Sequence, residues 1–245
     1  MTSTGQSAGA MNPLVRDGTT SLAQQLYDSV KREIVEHRLR PETILAEATL
    51  AEQYGVSRAP AREALKRLAT FGFVRVVPRV GYIVSSVSVR DFDEIFALRL
   101  VLEPLAVELA MPRLGDHDVV RLEQLARRVW EIPARPLTER GALLAQVNAD
   151  FHREISRIAG NSRLEQTIGG LIDELERFMH MLAYSDTVSS LMDEHMVLLE
   201  TMKSGDAHAA AALMREQLAN DHATMRQLIL PEVSLVSPEP LRRPA

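Results

Sequence analysis

Apolar residues recur at helical spacing through most of the chain, after a polar start. Residues 1–20 are rich in Gly, Ser and Thr and have no apolar period, which predicts a flexible N-terminal arm. Ser21 is of a residue type that caps helices, and the apolar period that follows it predicts a first helix to about His37. The pattern then predicts a short helix over 47–53.

A turn and a third helix follow, after which the helical spacing of apolar residues gives way to β-branched runs. Gly55 supplies a turn residue that tolerates positive φ, and Ser57 is predicted to cap a helix whose apolar residues share one face. The β-branched runs FVRVV and GYIVSSV, separated by PRVG, predict a β-hairpin. This order of elements within about 65 residues predicts a winged helix-turn-helix domain over 21–88.

The rest of the chain shows the helical period and no convincing strand. The candidate helices span 91–111, 116–131, 138–159, 162–184, 189–203 and 206–229. Gly, Pro, Ser and Asp cluster at the breaks between them. The predicted fold class is mainly α, with an N-terminal winged helix-turn-helix followed by an all-α helical bundle over 91–230 and a Pro-rich tail over 231–245.

Composition adds a charge asymmetry to this organisation. The 245 residues, 46% of them hydrophobic, can form two modest cores, and the net charge is −5. Residues 21–90 hold 11 Lys and Arg against 7 Asp and Glu, whereas residues 91–245 hold 16 against 25. A basic module joined to an acidic domain favours a polyanion partner for the first third of the chain.

The absence of cysteine removes several classes of chemistry. Without Cys there is no disulfide, no thiol catalysis and no Cys-type zinc site, which suits a reducing compartment. No apolar run approaches the roughly 18 residues of a membrane span, and residues 1–20 lack the basic and apolar regions of a signal peptide. We therefore predict a cytoplasmic protein with no membrane partner.

The stretch YGVSRAPAREALKRL places two arginines and a proline at the start of the third helix. In a helix-turn-helix this first turn enters the major groove, so cationic side chains belong there, and Pro60 is tolerated because first-turn N–H groups lack intrahelical partners. Arg58 and Arg62 are four residues apart and project from one side, where they can bind guanine or phosphate. Lys66 is placed for the DNA backbone. The alternative is that the arginines are ordinary solvated charges.

A second DNA contact is predicted at the hairpin. Arg79 and Gly81 fall at the wing tip, where a cationic side chain beside a glycine can approach the minor groove closely. The alternative is a surface arginine without a ligand. The predicted DNA-binding residues are Ser57, Arg58, Arg62, Lys66, Arg79 and Gly81.

The segment LAEATLAEQYGVSRAPAREALKRLATFGFVRVVPRVGYIV resembles the DNA-binding half of the GntR family of bacterial transcription regulators. The family pattern is a Gly-Val-Ser-Arg turn, then Pro-x-Arg-Glu-Ala-Leu, then a glycine-containing wing. The resemblance implies DNA contacts from Arg58, Arg62 and the wing around Gly81. Two positions depart from the pattern: Ala46 stands where a Ser caps the short helix, and Ala48 stands where an Arg commonly touches DNA.

The helical half resembles the FCD effector domain of the FadR-like subgroup of that family. The passages FALRLVLEPLAVELA, NADFHREISRIAGN and DEHMVLLETMKSGDAHAAAALMREQL carry the resemblance. It implies a divalent metal in the bundle core, held by an Asp or Asn, a His four residues later and one His from each of the last two helices. The ion expected on this basis is Zn, Ni or Mn.

The residues themselves support that metal site only in part. Asn148 and His152 are one helical turn apart, and His195 is in register with inward apolar residues. Both histidines could instead be core residues whose ring nitrogens are hydrogen-bonded within the protein, without a metal. Gln217 occupies the slot of the third His, and its neutral carboxamide is a weak ligand. Asp221, one turn further, could substitute as ligand or could be a pairing carboxylate. An effector pocket without metal is the alternative.

Arg99 is the candidate effector-binding residue. It lies among apolar residues on the first helix of the bundle, four residues before Glu103. One interpretation is a helix-surface ion pair with Glu103, and the other is an arginine that grips the carboxylate of an organic-acid effector. The resemblance favours the second.

Together these features predict a homodimeric repressor of transcription that reads a near-palindromic DNA operator and responds to a small organic-acid effector. One alternative is a metal-dependent enzyme that uses Asn148, His152 and His195. It lacks a paired general acid and base, a nucleophile elbow or a phosphate-binding loop. Another alternative is an architectural DNA binder without an effector.

Overall fold

The computed structural model describes residues 20–36, 38–181 and 194–236, and the chain forms two compact units that divide between Ser85 and Ser86. The predicted arm, apart from Thr20, lies outside the described residues, as does His37, where the first helix was expected to end. The ends of the candidate helices that meet between 182 and 193 also lie outside them.

The first unit is a small α/β module. Its elements are α1 (Leu22–Val35), β1 (Ile44–Leu45), α2 (Glu47–Gln53), α3 (Arg58–Thr70), β2 (Val74–Val77) and β3 (Gly81–Val84). The hydroxyl of Ser21 accepts a hydrogen bond from the Gln24 backbone N–H at 3.1 Å, so the predicted cap of α1 is confirmed. Ala46, at the start of α2, makes no side-chain cap, as its methyl group requires.

The sheet of this unit has three strands in the order β1-β3-β2, both pairs antiparallel. The hairpin of β2 and β3 was predicted, but β1 was not, because two residues carry no period of their own. Ile44 pairs with Ile83, so β1 exists only through its partner strand. The core of the unit lies between the sheet and the helices and contains Leu26, Leu65 and Phe73.

The second unit is all-helical in its described residues. Its α-helices are α4 (Val89–Ala110), α5 (Asp116–Arg127), α6 (Leu137–Ile158), α7 (Ser162–Met181), α8 (Glu194–Lys203) and α9 (Ala207–Val236), with 3-10 turns at Met111–Arg113 and Arg128–Ala134. A capping box starts α4, in which Ser88 and Asp91 exchange side-chain and backbone hydrogen bonds. The α4 helix packs most extensively against α9 and also contacts α6 and α7, so it lies at the centre of the bundle.

The last helix, α9, ends later in the chain than expected. The Pro-rich tail was predicted to begin at 231, yet α9 continues to Val236. Pro231, the first proline of the predicted tail, therefore lies inside α9 and not after it. Residues 237–245 lie outside the described part. None of the described helices combines the length and the apolar composition that crossing a membrane requires.

Candidate functional site

The start of α3 presents two exposed arginines. Ser57 occupies the N-cap position with extended backbone (φ −75°, ψ 168°), but its hydroxyl makes no capping hydrogen bond, contrary to the predicted cap. That hydroxyl is exposed at the helix N-terminus, where backbone N–H groups and the helix dipole favour an anion such as phosphate. Arg58 is exposed and has no ion-pair partner among the described residues.

Arg62 is held in place by a carboxylate from the neighbouring helix. Its Nε atom donates to both carboxylate oxygens of Glu47 on α2, at 3.1 and 3.0 Å. Both side chains remain partly exposed, so the pair orients the guanidinium without removing it from solvent. This role of Glu47 has no signal in the local sequence, because Glu47 and Arg62 lie 15 positions apart on different helices.

The other predicted DNA-contact residues are also accessible. Lys66 is exposed one turn after Arg62 on α3, and Arg79 is exposed in the turn between β2 and β3. Arg79 has a positive φ of 67°, which a tight hairpin turn imposes on this non-glycine residue. Gly81 has a φ of 116°, and a Cβ there would lie 3.3 Å from the carbonyl oxygen of Leu45. The close approach of β1 to β3 therefore explains why a glycine stands at position 81 without any reference to DNA.

In the second unit, a buried ion pair lies at the centre of the bundle. Arg99 and Glu103, one turn apart on α4, are 1% and 2% exposed, and the Arg99 Nε atom donates to Glu103. The pair proposed from sequence therefore exists, but in the core rather than on a helix surface. The Arg99 guanidinium also lies over the Phe96 ring, 5.0 Å from its centroid.

Two buried histidines complete this cluster. The Nδ1 atom of His152 on α6 lies 2.5 Å from the Oε2 atom of Glu103, although the contact angle is too poor for a well-formed hydrogen bond. The His195 ring on α8 stacks on Phe151 with centroids 4.3 Å apart and meets the His152 ring edge-on at 5.2 Å. The two histidines are therefore buried in the bundle, as the register of His195 with apolar residues predicted for that residue.

The charges in the cluster shift one another's protonation. Burial alone would raise the pKa of Glu103, but the Arg99 guanidinium and His152 together lower it to about 2. Burial, with smaller contributions from His152 and Arg99, lowers the pKa of His195 well below its usual value, so this imidazole is neutral at pH 7. Burial raises the pKa of Asp221 on α9 to about 7.

Several buried polar atoms of the cluster have no hydrogen-bond partner in the part of the chain that the structure describes. They include the Glu103 Oε2 and His152 Nδ1 atoms, which contact each other, and also the Arg99 Nη2, the His195 Nδ1 and the Asp221 Oδ1. A buried polar atom without a partner costs about 1–3 kcal/mol, so a polar molecule that hydrogen-bonded to the last three atoms would relieve that cost. The spacing of residues in the sequence does not reveal these buried atoms without partners.

The donor set does not fit the divalent ion that the family resemblance implies. Within the described ranges, no group of three or more His, Cys, Asp or Glu side chains could hold an ion, so Asp221 does not complete a site with His152 and His195. The Gln217 Nε2 atom donates to the Glu194 carbonyl oxygen at 2.9 Å, and a neutral carboxamide is a poor ligand for Zn or Ni. Asn148, half-buried on α6, adds only another carboxamide.

The fold and the two sites define a class of protein: a winged-helix DNA-binding module joined to an all-helical domain, as in bacterial transcription regulators. Residues 22–84 match the profile described as "Bacterial regulatory proteins, gntR family", and residues 94–220 match that of the FCD domain. The chain belongs to the GntR family, and its helical unit is an FCD domain.

Individual relatives agree with this assignment. The HTH-type transcriptional regulator YdhC of Bacillus subtilis (strain 168) is 28% identical over 202 residues, 82% of this chain and 89% of that protein. The HTH-type transcriptional repressor GlaR of Escherichia coli (strain K12) is 28% identical over 201 residues, 78% of this chain and 90% of that protein. The solved structure of E. coli McbR/YncC has a TM-score of 0.71 at 26% identity and covers 86% of this chain and 99% of that chain.

These relatives and both family profiles are those of transcription regulators, not of enzymes. The chain is therefore a DNA-binding transcription regulator, and the metal-dependent enzyme considered from sequence is excluded.

Proposed function

We propose that this regulator is a cytoplasmic homodimeric repressor that binds a near-palindromic operator and responds to a small carboxylate metabolite bound in the FCD domain. The observation that supports DNA reading is the pair of accessible arginines at the tip of α3, one of them oriented by Glu47. Guanidinium groups at this position of a helix-turn-helix can make bidentate contacts to guanine in the major groove. A near-palindromic DNA site has two equivalent halves, so it requires two equivalent DNA-binding modules and hence a two-fold symmetric dimer.

The effector is proposed to bind at the buried cluster around Arg99, without a metal ion. The Arg99 Nη2 atom is a cationic donor without a partner in the described residues, and a carboxylate is its natural complement. Asp221, whose Oδ1 atom also lacks a partner there, would accept a hydrogen bond from a hydroxyl or amino group of the same molecule. We therefore favour a hydroxy or amino acid over a simple fatty acid.

The DNA-binding proposal is tested by fluorescence anisotropy against the gene's own upstream region. Arg58→Ala combined with Arg62→Ala should abolish the preference for that region over random DNA, a loss of roughly 2–5 kcal/mol for two bidentate contacts. Arg163→Ala, which removes an exposed arginine on α7, is the matched control and should bind like the parent. Specific binding by the double variant would contradict the assignment.

The effector proposal is tested by thermal shift and calorimetry with a series of organic acids from acetate to citrate. A binding acid should raise the melting temperature, because it binds only the folded state. Asp221→Ala removes the acceptor and should weaken the binding of hydroxy and amino acids more than that of simple acids. If no acid in the series raises the melting temperature of the parent protein, the proposal of a carboxylate effector at this cluster is contradicted.

A further inference from the structure

A polar contact joins the last helix of the chain to the start of α4. Asp93 lies in the second turn of α4, and its Oδ1 atom lies 2.7 Å from the Nε2 atom of His222 on α9. Arg226, one turn after His222, donates from Nε to both carboxylate oxygens of Asp93, at 2.9 and 3.2 Å. Burial would raise the pKa of Asp93, but the hydrogen bonds from Arg226 and His222 lower it below its usual value. The ionised carboxylate accepts hydrogen bonds only, so the His222 Nε2 atom carries the proton that it donates.

The His222 ring also packs on two phenylalanines of α4. It stacks on Phe92 with ring centroids 5.5 Å apart and an angle of 18° between the ring planes, and its centroid lies 5.1 Å from that of Phe96. Phe92 in turn meets Phe178 of α7 edge-on, at 5.3 Å. His222 therefore contacts the first turns of α4 through both a hydrogen bond and a ring stack, whereas Arg226 contributes an ion pair.

Two routes connect this contact to the buried polar cluster. On α9, Asp221 directly precedes His222, and its Oδ1 atom is one of the buried atoms without a partner in the described residues. On α4, the Arg99 guanidinium lies over the Phe96 ring, and the same ring contacts His222. A molecule that changes the position of Asp221 or of Arg99 therefore changes the surroundings of His222.

The start of α4 is also the point where the helical unit receives the chain from the DNA-binding module. The two units divide between Ser85 and Ser86, and α4 begins at Val89. Only residues 86–88 of the second unit precede the helix, so a change in the direction of its first turns moves the point to which the module is attached. A residue that contacts these turns can therefore influence DNA binding.

We propose that His222 is a coupling residue, which binds neither DNA nor the effector and transmits the state of the polar cluster to the start of α4. A ligand that binds Asp221 and Arg99 shifts α9 against α4, and the contact of His222 with Asp93 changes with it. Arg226 keeps the two helices together in both states. The inference rests on the proposed function, because it assumes that the effector binds at this cluster.

Hydrogen exchange measured by mass spectrometry tests the coupling in the full chain, without DNA or effector. Asp221→Ala changes the cluster itself, and it should alter the exchange rates of amides 92–96 by about two-fold or more. The same substitution should have no such effect in a His222→Phe chain, which keeps an aromatic ring beside Phe92 but lacks the donor to Asp93. If the contact only stabilised the fold, Asp221→Ala would have the same effect in both chains.

Two further variants are matched controls. His222→Gln retains an N–H donor for Asp93, so it should restore the response to Asp221→Ala. His208→Phe changes an exposed histidine at the start of α9, and it should leave the response intact. Arg226 still pairs with Asp93 in every variant, and circular dichroism melts establish that each is folded. A response that survives in His222→Phe, or that is lost in His208→Phe, would overturn the proposal.

DNA binding provides the functional readout. For each organic acid that raises the melting temperature of the parent, anisotropy measures the affinity for the gene's own upstream region with and without the acid. The acid should change this affinity about five-fold or more in the parent and less than about two-fold in His222→Phe, although the thermal shift shows that it still binds. A full response in His222→Phe, or amides 92–96 that ignore Asp221→Ala in the parent, would refute the coupling. If no acid binds, the carboxylate effector is refuted, and the exchange comparison still decides whether His222 couples the cluster to α4.

Discussion

Glu103 on α4 contacts two cationic or ionisable groups at once: its Oε2 atom lies 2.5 Å from His152 Nδ1, and its other oxygen accepts a hydrogen bond from Arg99. All three side chains are buried. A carboxylate in this position compensates the charge of Arg99, and its low pKa shows that it stays ionised in the core. The cluster is therefore anchored by one anion from the central helix.

Removing that anion should be costly. Glu103→Gln leaves the Arg99 charge buried without compensation, so we expect it to lower the free energy of unfolding by about 3–5 kcal/mol, measured by urea denaturation. Arg99→Met with Glu103→Leu removes both charges and should cost clearly less. Glu94→Gln, which breaks an exposed pair with Arg90, is the control and should leave the midpoint unchanged. Equal losses for the single and double variants would contradict this role of the pair.

Metal binding should be absent from the parent and recoverable by substitution. Gln217→His supplies the histidine that this chain lacks, and Asn148→Asp replaces a neutral carboxamide by a carboxylate, beside His152 and His195. We expect about one Zn or Ni ion per chain in this variant, measured by elemental analysis after dialysis against the metal, because a site with three histidines and one carboxylate has the ligand number of a zinc site. Adding His195→Ala should return the metal content to the parent level. A parent that itself retains about one ion per chain would show that the carboxamides suffice as ligands.

Stability should depend on pH through Glu174 on α7. Burial raises the pKa of this carboxyl to about 7 against a usual 4.5, so the folded state holds the proton more tightly than the unfolded chain does. The stabilisation that this provides is complete below pH 4.5 and is lost as the pH rises through 7. Glu174→Gln should therefore match the parent near pH 4.5 and exceed it at pH 8 by about 1 kcal/mol, once solvent screening is allowed for.

Melting curves between pH 4.5 and pH 8 measure this difference directly. The exposed Glu165 on the same helix offers a matched control, and Glu165→Gln should give a difference from the parent that does not grow over the range. A Glu174→Gln difference that is constant with pH would show that the carboxyl is not held in its protonated form.

The pairing of Glu47 with Arg62 should affect sequence discrimination more than affinity. Glu47→Gln removes an anion near the DNA phosphates, so affinity for all sequences should increase a few-fold. Discrimination between operator and random DNA should decrease, because Arg62 loses the carboxylate that orients it. Glu52→Gln removes an exposed charge from the same helix without touching Arg62, and it should increase affinity while discrimination is retained. Anisotropy titrations with both DNAs decide between these outcomes.

The helices could be predicted from the sequence because their signal is local. The apolar period placed α2 at Glu47–Gln53, as observed, and placed α6 within one residue of its observed bounds. Strand β1 could not be predicted in this way, since its two residues are held by a partner strand almost 40 positions away. The end of α9 was not predicted either, because the apolar period stops near Ile229 whereas the helix continues to Val236.

In the candidate sites, too, features with a local sequence signal could be predicted, and features that depend on distant contacts could not. The inward direction of His195 follows from its register with apolar neighbours and is found in the structure. The burial of Arg99 was not predicted, because an arginine four residues before a glutamate is typical of an ion pair on the surface of a helix. Contacts between distant residues, such as the pair of Asp93 and His222 at 2.7 Å, leave no trace in local spacing.

The central position of α4 limits how this regulator can diversify. One helix supplies Arg99 and Glu103 to the polar cluster and packs against α6, α7 and α9 along its length. A substitution at either of these two positions therefore changes the buried core and the polar cluster together. If the proposed effector binds at this cluster, its chemical preference should be altered more readily through residues that the surrounding helices contribute, such as Asn148, Gln217 and Asp221, than through α4.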